Sequence, residues 1–279
     1  TTAGVLRRAA GMTAQRVPKG TPLRMGGLTV LSYNLLAPLY VRPIDQRTGS
    51  VQSFAAFEWS DESSLDWDVR RPALLRELIG SSADLICLQE VQFDKGVDGG
   101  FALPEWLRLP GYEVRVPPPA KLQEIANRNM RVLSTEAAVG NALLWRADRL
   151  AEAPPGAPAR QGGKAGKAKA AKLGGREQSV QRVGCVLQGV AGGGLEGLLP
   201  LAVFSVHLDA TSEEKRVKQL SGCLEIAKEA GTRCVLIAGD MNTPMGRGSA
   251  MRALVGDEGD ATEEEIAAEC AAALRLDPA

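Results

Sequence analysis

Gly239-Asp240-Met241-Asn242 closes an apolar run that starts at Val235, so a carboxylate and a carboxamide emerge where a buried strand would end. Three other runs end in the same manner. Leu28–Asn34 ends in an amide, Ala83–Glu90 in Gln89 and Glu90, and Leu201–His207 in the only histidine of the chain. Carboxylates and amides are hard oxygen ligands suited to magnesium or manganese. A histidine beside them suits phosphoryl transfer, where positioning and charge neutralisation supply most of the catalysis. Each residue also has a plainer structural reading. A histidine at a strand end can be a hydrogen-bonded structural residue, Glu90 a surface charge and Asn34 a turn former. Asp240 and Asn242 could cap the segment opened by Thr243-Pro244. The repeated delivery of metal-compatible groups by Val/Leu/Ile runs is what favours one shared site.

Those residues need strands whose carboxyl ends meet, which is where sites form in open α/β sheets. The first run is followed by a long loop over residues 38–66. A helix is expected over Arg70–Ser81, opened by Pro72, with Leu74, Leu75, Leu78 and Ile79 on one face. Strand, helix and strand then place Asn34 and Glu90 on neighbouring strand ends, provided the strands are adjacent. Leu103–Leu109 reads as a short helix, and Pro117-Pro118-Pro119 breaks the chain. Arg128, Arg131 and Glu136 fall in a polar connector that could reach phosphates or simply be a solvated loop. Val183–Val190 and Leu201–His207 read as a hairpin across Gly192. A Thr211/Glu214 capping box opens a helix that runs to about Ala230, and Gly231 ends it before a strand over Cys234–Ala238.

The residues Ser32-Tyr33-Asn34, Leu88-Gln89-Glu90-Val91, Val206-His207-Leu208 and Gly239-Asp240-Met241-Asn242 resemble, in order, the motifs of the endonuclease/exonuclease/phosphatase superfamily of divalent-metal phosphoesterases. The resemblance runs from about residue 28 to 250. It implies an α/β fold, a four-layer αββα sandwich of two mixed β-sheets packed face to face with helices outside. It also implies roles. Glu90 resembles the magnesium (or manganese) ligand, with Asn34 beside it on metal or phosphate. His207 resembles the residue that steadies the phosphate's developing charge. Asp240 resembles the carboxylate that orients or deprotonates water, and Asn242 the phosphate-binding amide.

Leu31–Pro38, Trp67–Pro72 and Gly140–Arg146 further resemble the carbon-catabolite-repressor-type deadenylase, nocturnin and Angel branch. That branch implies a 3′-exoribonuclease acting on an RNA 3′ end, or a phosphatase acting on a nucleotide phosphate. A non-catalytic member that binds RNA or protein is the alternative from another class. The superfamily carries a further aspartate-histidine pair on a last strand. Here no histidine follows Asn242, and Thr262–Leu274 reads as a helix with a Thr262/Glu265 capping box. The chain also begins at Thr1. It therefore reads as a fragment, or a divergent form, lacking the last strands.

At 279 residues and 44% apolar, the chain can bury the core of one large domain. The expected organisation is a basic, disordered leader over residues 1–27 and a phosphoesterase domain over 28–279, with a low-complexity Ala/Gly/Pro/Lys insertion at 151–175. A phosphate-binding loop inside that insertion is rejected, because the glycine–lysine spacing is wrong and Ala168 follows Lys167 where Ser or Thr is needed. The leader carries arginines and no acid, which fits an organellar transit segment, a basic extension or the cut end of a longer protein. No run of about 18 apolar residues exists, so no membrane span is expected. Zero net charge argues against strong sequence-independent nucleic-acid binding. The five cysteines lack metal-finger spacing and read as buried thiols of a reducing, intracellular compartment, the cytoplasm foremost. Protein partners are not legible.

Overall fold

Strands that alternate faces every residue, yet are apolar throughout, must be covered on both sides. This is how the chain's apolar runs are used. The structure, a computed structural model, describes residues 5–8, 23–25, 27–41, 44–50, 60, 62–154, 179–196, 198, 200–232 and 234–242. Its strands are β1 (Val5–Arg8), β2 (Leu23–Met25), β3 (Leu28–Asn34), β4 (Leu85–Lys95), β5 (Phe101–Ala102), β6 (Tyr112–Arg115), β7 (Ala138–Arg146), β8 (Leu150–Glu152), β9 (Arg182–Gly189), β10 (Leu201–His207) and β11 (Cys234–Asp240). Its helices are α1 (Pro38–Val41), α2 (Glu62–Leu65), α3 (Trp67–Ser81), α4 (Pro119–Leu133) and α5 (Glu213–Glu229).

One sheet has the order β2-β3-β4-β7-β6, with β5 paired to β4; the other has the order β1-β11-β10-β9-β8. Both are mixed, since β3/β4 and β10/β11 are parallel while β4/β7 and β9/β10 are antiparallel. Between the sheets, Leu28, Val30, Leu85, Cys87, Leu143 and Trp145 meet Val183, Cys185, Leu201, Val203, Leu236 and Ala238. On the outer face of the first sheet, Leu31, Ile86, Leu88 and Leu144 pack under Leu74 and Leu78 of α3 and Leu122 and Ala126 of α4. On the outer face of the second, Phe204, Val206, Val235 and Ile237 pack under Leu220, Cys223 and Ile226 of α5. The result is the expected α/β architecture, with helix, sheet, sheet and helix in layers. Each fully buried leucine or valine contributes about 1.5–3 kcal/mol relative to exposure.

Several local expectations are corrected. The expected loop at 38–66 contains α1 and α2. Helix α3 begins at Trp67 rather than Arg70, because Asp66 supplies the N-cap by accepting from the Asp68 N–H at 2.8 Å. Pro72 consequently lies inside the helix rather than opening it. Arg128 and Arg131 lie on α4 and not on a connector; Pro119 starts that helix, and Leu122 and Ala126 are buried on its inner face. Ser212, not Thr211, caps α5, accepting from the Lys215 N–H at 3.3 Å. The segment 103–109 forms only a single 3-10 turn over Glu105–Leu107.

Within 1–27, β1 pairs with β11 and β2 with β3, and of the remaining leader residues only Gly27 is described. Residues 155–178, which hold most of the expected insertion, lie outside the described residues, as do Cys270 and the expected helix at 262–274. The other four cysteines are buried. Among the described residues, no helix is long and apolar enough to cross a membrane.

Candidate active site

Strand periodicity decides which side chains reach the space between the sheets. On β3 the inward positions Leu28 and Val30 continue to Asn34. On β10 Leu201 and Val203 continue to His207, and on β11 Leu236 and Ala238 continue to Asp240. Three of the sequence-selected residues thus project from carboxyl ends into the same inter-sheet edge. Glu90 has the wrong parity, since Leu85, Cys87 and Gln89 occupy the inward positions of β4. A bulge corrects it. The β4/β7 register steps from Leu88↔Ala142 to Val91↔Gly140, which leaves one extra residue on β4, and Glu90 takes φ 55° there. Bulges of this kind re-aim a side chain at the cost of local pairing.

The four groups then meet. Asn34 Nδ2 donates to Glu90 Oε1 at 2.9 Å and to Asp240 Oδ2 at 2.9 Å, joining a carboxylate of one sheet to a carboxylate of the other. Asn34 Oδ1 accepts from the Leu36 N–H at 2.9 Å, which fixes the amide's orientation. Glu90 Oε2 accepts from the Ala37 N–H at 3.1 Å. His207 Nε2 stands 4.0 Å from Asp240 Oδ2. Asn242 donates its backbone N–H to Asp240 Oδ1 at 3.0 Å, but its side-chain Nδ2 donates to the Leu208 carbonyl at 2.8 Å. The Asn242 amide is therefore held against the end of β10, in a turn where its φ is 48°.

The close approach of β10 and β11 depends on Gly239. A Cβ there would fall 1.8 Å from the Val206 carbonyl oxygen, so only glycine fits beside Val206, its register partner.

Beneath these residues lies a buried polar layer, of which only Gln89 stands out in the sequence. Gln89 Nε2 donates to Ser205 Oγ at 3.3 Å, and Ser205 Oγ donates to the Leu88 carbonyl at 3.0 Å, so β4 and β10 are tied across the core. Asn141 Nδ2 donates to the Gln181 and Ser205 carbonyls at 3.0 Å each. The Gln181 carbonyl also accepts the His207 N–H at 2.9 Å. The available signal was a polar residue in the middle of an apolar run, as at Ser205 and Asn141. Tyr40 and Gln92 were also missed. Gln92 Oε1 accepts from the Leu39 N–H at 2.8 Å and seats α1 beside the site. Burial, and secondarily the charge of Glu90, pushes the Tyr40 phenol up to about 12, with Arg128 acting in the opposite sense.

Among the described residues, no group of three or more His, Cys, Asp and Glu is arranged to hold a metal ion. Two carboxylates do converge on a single amide nitrogen. Magnesium typically binds through one or two carboxylates and completes its shell with water and substrate phosphate. The Glu90 carboxylate is the kind of oxygen donor that demand calls for.

No family model matches the chain. Carbon catabolite repressor protein 4 homolog 1 of Arabidopsis thaliana is 40% identical over 94 residues, 34% of this chain and 13% of the relative. Homolog 2 of the same plant is 39% identical over 69 residues, 25% of this chain and 10% of the relative. The matches thus span only a small part of those proteins. Among solved structures, human nocturnin's catalytic domain matches with a TM-score of 0.46 and 16% identity, covering 89% of this chain and 71% of that one. ANGEL2, described as a 2′,3′-cyclic phosphatase, matches with a TM-score of 0.48 and 16% identity, covering 87% and 57%. An endonuclease/exonuclease/phosphatase family protein from Bacteroides thetaiotaomicron matches with a TM-score of 0.47 and 18% identity, covering 82% and 68%. The chain is thus similar to carbon catabolite repressor protein 4 homologs over about a third of its length.

Proposed function

We propose that this chain carries the catalytic groups of a divalent-metal-dependent phosphodiesterase, a 3′-exoribonuclease of deadenylase type acting on RNA 3′ ends. The observation that carries the reading is the Asn34 amide, which spans Glu90 and Asp240 at 2.9 Å each across the gap between the sheets. Two carboxylates from different sheets, held together at one strand-end edge, form an oxygen-rich cluster with a histidine beside it.

In this reading Glu90 is the principal ligand for magnesium or manganese, with Asn34 oriented beside it. When bound, the metal would supply Lewis acidity to a phosphoryl oxygen. The residues of the chain do the rest. Asp240, whose Oδ1 accepts the Asn242 N–H and whose Oδ2 accepts one N–H of Asn34, uses the second lone pair of Oδ2 to orient a water and take up its proton. His207 donates from Nε2 to a phosphoryl oxygen as charge develops. Asn34, with Oδ1 held by Leu36, donates its N–H groups to Glu90 and Asp240 and so sets both carboxylates, while Asn242 fixes the β11 turn through the Leu208 carbonyl and would offer its second amide hydrogen to the phosphate. The same groups would serve a phosphatase of a small nucleotide, so products decide the substrate.

The test is magnesium-dependent release of AMP from a 3′-hydroxyl oligoadenylate, run beside phosphate release from a dinucleotide phosphate. Glu90→Gln and Asp240→Asn should each lower the rate about 10²–10³-fold, the usual size for one transition-state contact. Preferential phosphate release would move the substrate to the small nucleotide. Equal rates in wild type and both variants would remove the site assignment.

A further inference from the structure

Five described non-glycine residues have positive φ, and two of them, Ser82 and Ser134, are left-handed helix C-caps. The other three, Leu36, Glu90 and Asn242, belong to the site. For Glu90 the cause is the bulge, and for Asn242 an amide that tolerates this region. Leu36, at φ 56°, has neither excuse: a leucine adopts that conformation only when its surroundings over-determine it.

The over-determining group is Arg70. Its Nη1 donates to the Leu35 carbonyl and its Nη2 to the Leu36 carbonyl, both at 3.0 Å. Its Nε donates to the Leu65 carbonyl at 3.4 Å. The guanidinium carbon lies 5.2 Å from the Trp67 ring centroid, which fixes the plane of the fork. This geometry requires α3 to start at Trp67, so that Arg70 stands one turn inside the helix and its neighbour Trp67 lies on the same face.

The turn held by Arg70 is the one that holds the carboxylate. Within it the Leu36 N–H donates to Asn34 Oδ1 and the Ala37 N–H donates to Glu90 Oε2. Carbonyls at 35 and 36 face the arginine while the amides at 36 and 37 face the site. We infer that Arg70 is a positioning residue: its two-pronged grip on Leu35 and Leu36 sets the turn whose amides orient Asn34 and Glu90. A lysine offers one point charge and cannot span both carbonyls with fixed geometry. The fork, not the charge, is therefore the necessary part.

The catalytic consequence of this inference rests on the function proposed above, whereas the geometry of the turn does not, and the test separates them. Amide deuterium exchange is measured by NMR on wild type, Arg70→Met and Arg70→Lys. Protection at Leu36 and Ala37 should fall by about tenfold or more in both variants, while Leu85–Leu88 on β4 keep theirs. In turnover assays both variants should lose kcat by about 10²-fold with KM within about twofold, the size of a small misplacement of reacting groups. Unchanged protection at Leu36 and Ala37, protection lost equally across β4, or wild-type behaviour of Arg70→Lys would each overturn the inference. If wild type shows no turnover, the proposed function falls, and the exchange arm still decides the role of Arg70.

Discussion

His207 and Asp240 are register partners at the tips of the parallel strands β10 and β11, and their side chains face each other at 4.0 Å. Neighbouring parallel strands thus deliver an N–H donor and a carboxylate to one edge without any loop between them. The His207 backbone N–H is bound to the Gln181 carbonyl, so removing the imidazole leaves the strand anchored. His207→Ala should therefore fold normally and lower kcat on oligoadenylate about 10²–10³-fold. Initial rates at saturating magnesium, with circular dichroism on the same samples, test this. A rate within twofold of wild type would place the histidine outside the chemistry.

Gly239→Ala should damage stability and activity together. Its Cβ would sit 1.8 Å from the Val206 oxygen, in the backbone of the neighbouring strand rather than against a flexible side chain. Overpacking a tight core costs about 1–3 kcal/mol, and a backbone clash belongs at or above the upper end. Urea unfolding should show the loss in its midpoint. A midpoint equal to that of wild type would mean that β10 and β11 can separate freely.

At the other end of the strands, Asp84 and Arg149 form an ion pair at 2.6 Å with the Asp84 side chain almost fully buried. Asp84 Oδ2 also accepts the Thr29 N–H at 2.7 Å, and Arg149 donates to the Gly193 carbonyl at 2.9 Å. Asp84→Ala leaves an arginine and a strand amide without this carboxylate. Breaking a buried pair costs about 3–5 kcal/mol, and partial exposure of Arg149 points to the lower end. The folded fraction should retain wild-type specific activity, because the pair lies at the amino ends of β3 and β4. Denaturant titration and activity per folded molecule report the two effects separately.

Asp209 gives the entry to α5 a pH dependence. Its carboxylate accepts from the Thr211 N–H at 2.9 Å and the Ser212 N–H at 2.8 Å. These backbone bonds, with the Thr211 hydroxyl and nearby Lys215, hold its pKa well below the usual carboxylate range. A depressed folded-state pKa stabilises the fold above the unfolded value and loses that contribution as pH falls toward the folded value. Asp209→Ala should thus lower Tm at neutral pH by an amount that persists down to about pH 4 and narrows only in stronger acid. Thermal unfolding across that range checks the sign. A gap that widened on acidification would contradict it.

The strands were legible because β3, β4, β10 and β11 are mostly apolar runs of strand-forming residues, and the four polar groups at or near their ends were visible by type. What joins those groups was less legible. The parity of Asn34, His207 and Asp240 follows from counting by twos along each strand. Glu90 breaks the count, and a bulge leaves no mark in a single sequence. Pro72 suggested a helix start because proline favours first turns, but Asp66 caps the helix earlier and the proline is accommodated inside. Helix α4 has Leu122, Ile125 and Ala126 at helical spacing, but the charged Arg128 and Arg131 make its second half read as a connector. Arg70 has no role legible in the sequence, since the Leu35 and Leu36 carbonyls that it binds lie far from it along the chain.

Leu36, Glu90 and Asn242 all occupy the left-handed region beside the candidate chemistry. A stability-directed redesign would select these positions early, because glycine relieves that conformation. At Glu90 and Asn242 the same choice deletes a side chain of the candidate site, and at Leu36 it frees the turn to wander. Thermostabilised variants of this chain should therefore be sought away from these three positions, and a screen scored on melting temperature alone would reward sequences that had lost the candidate site.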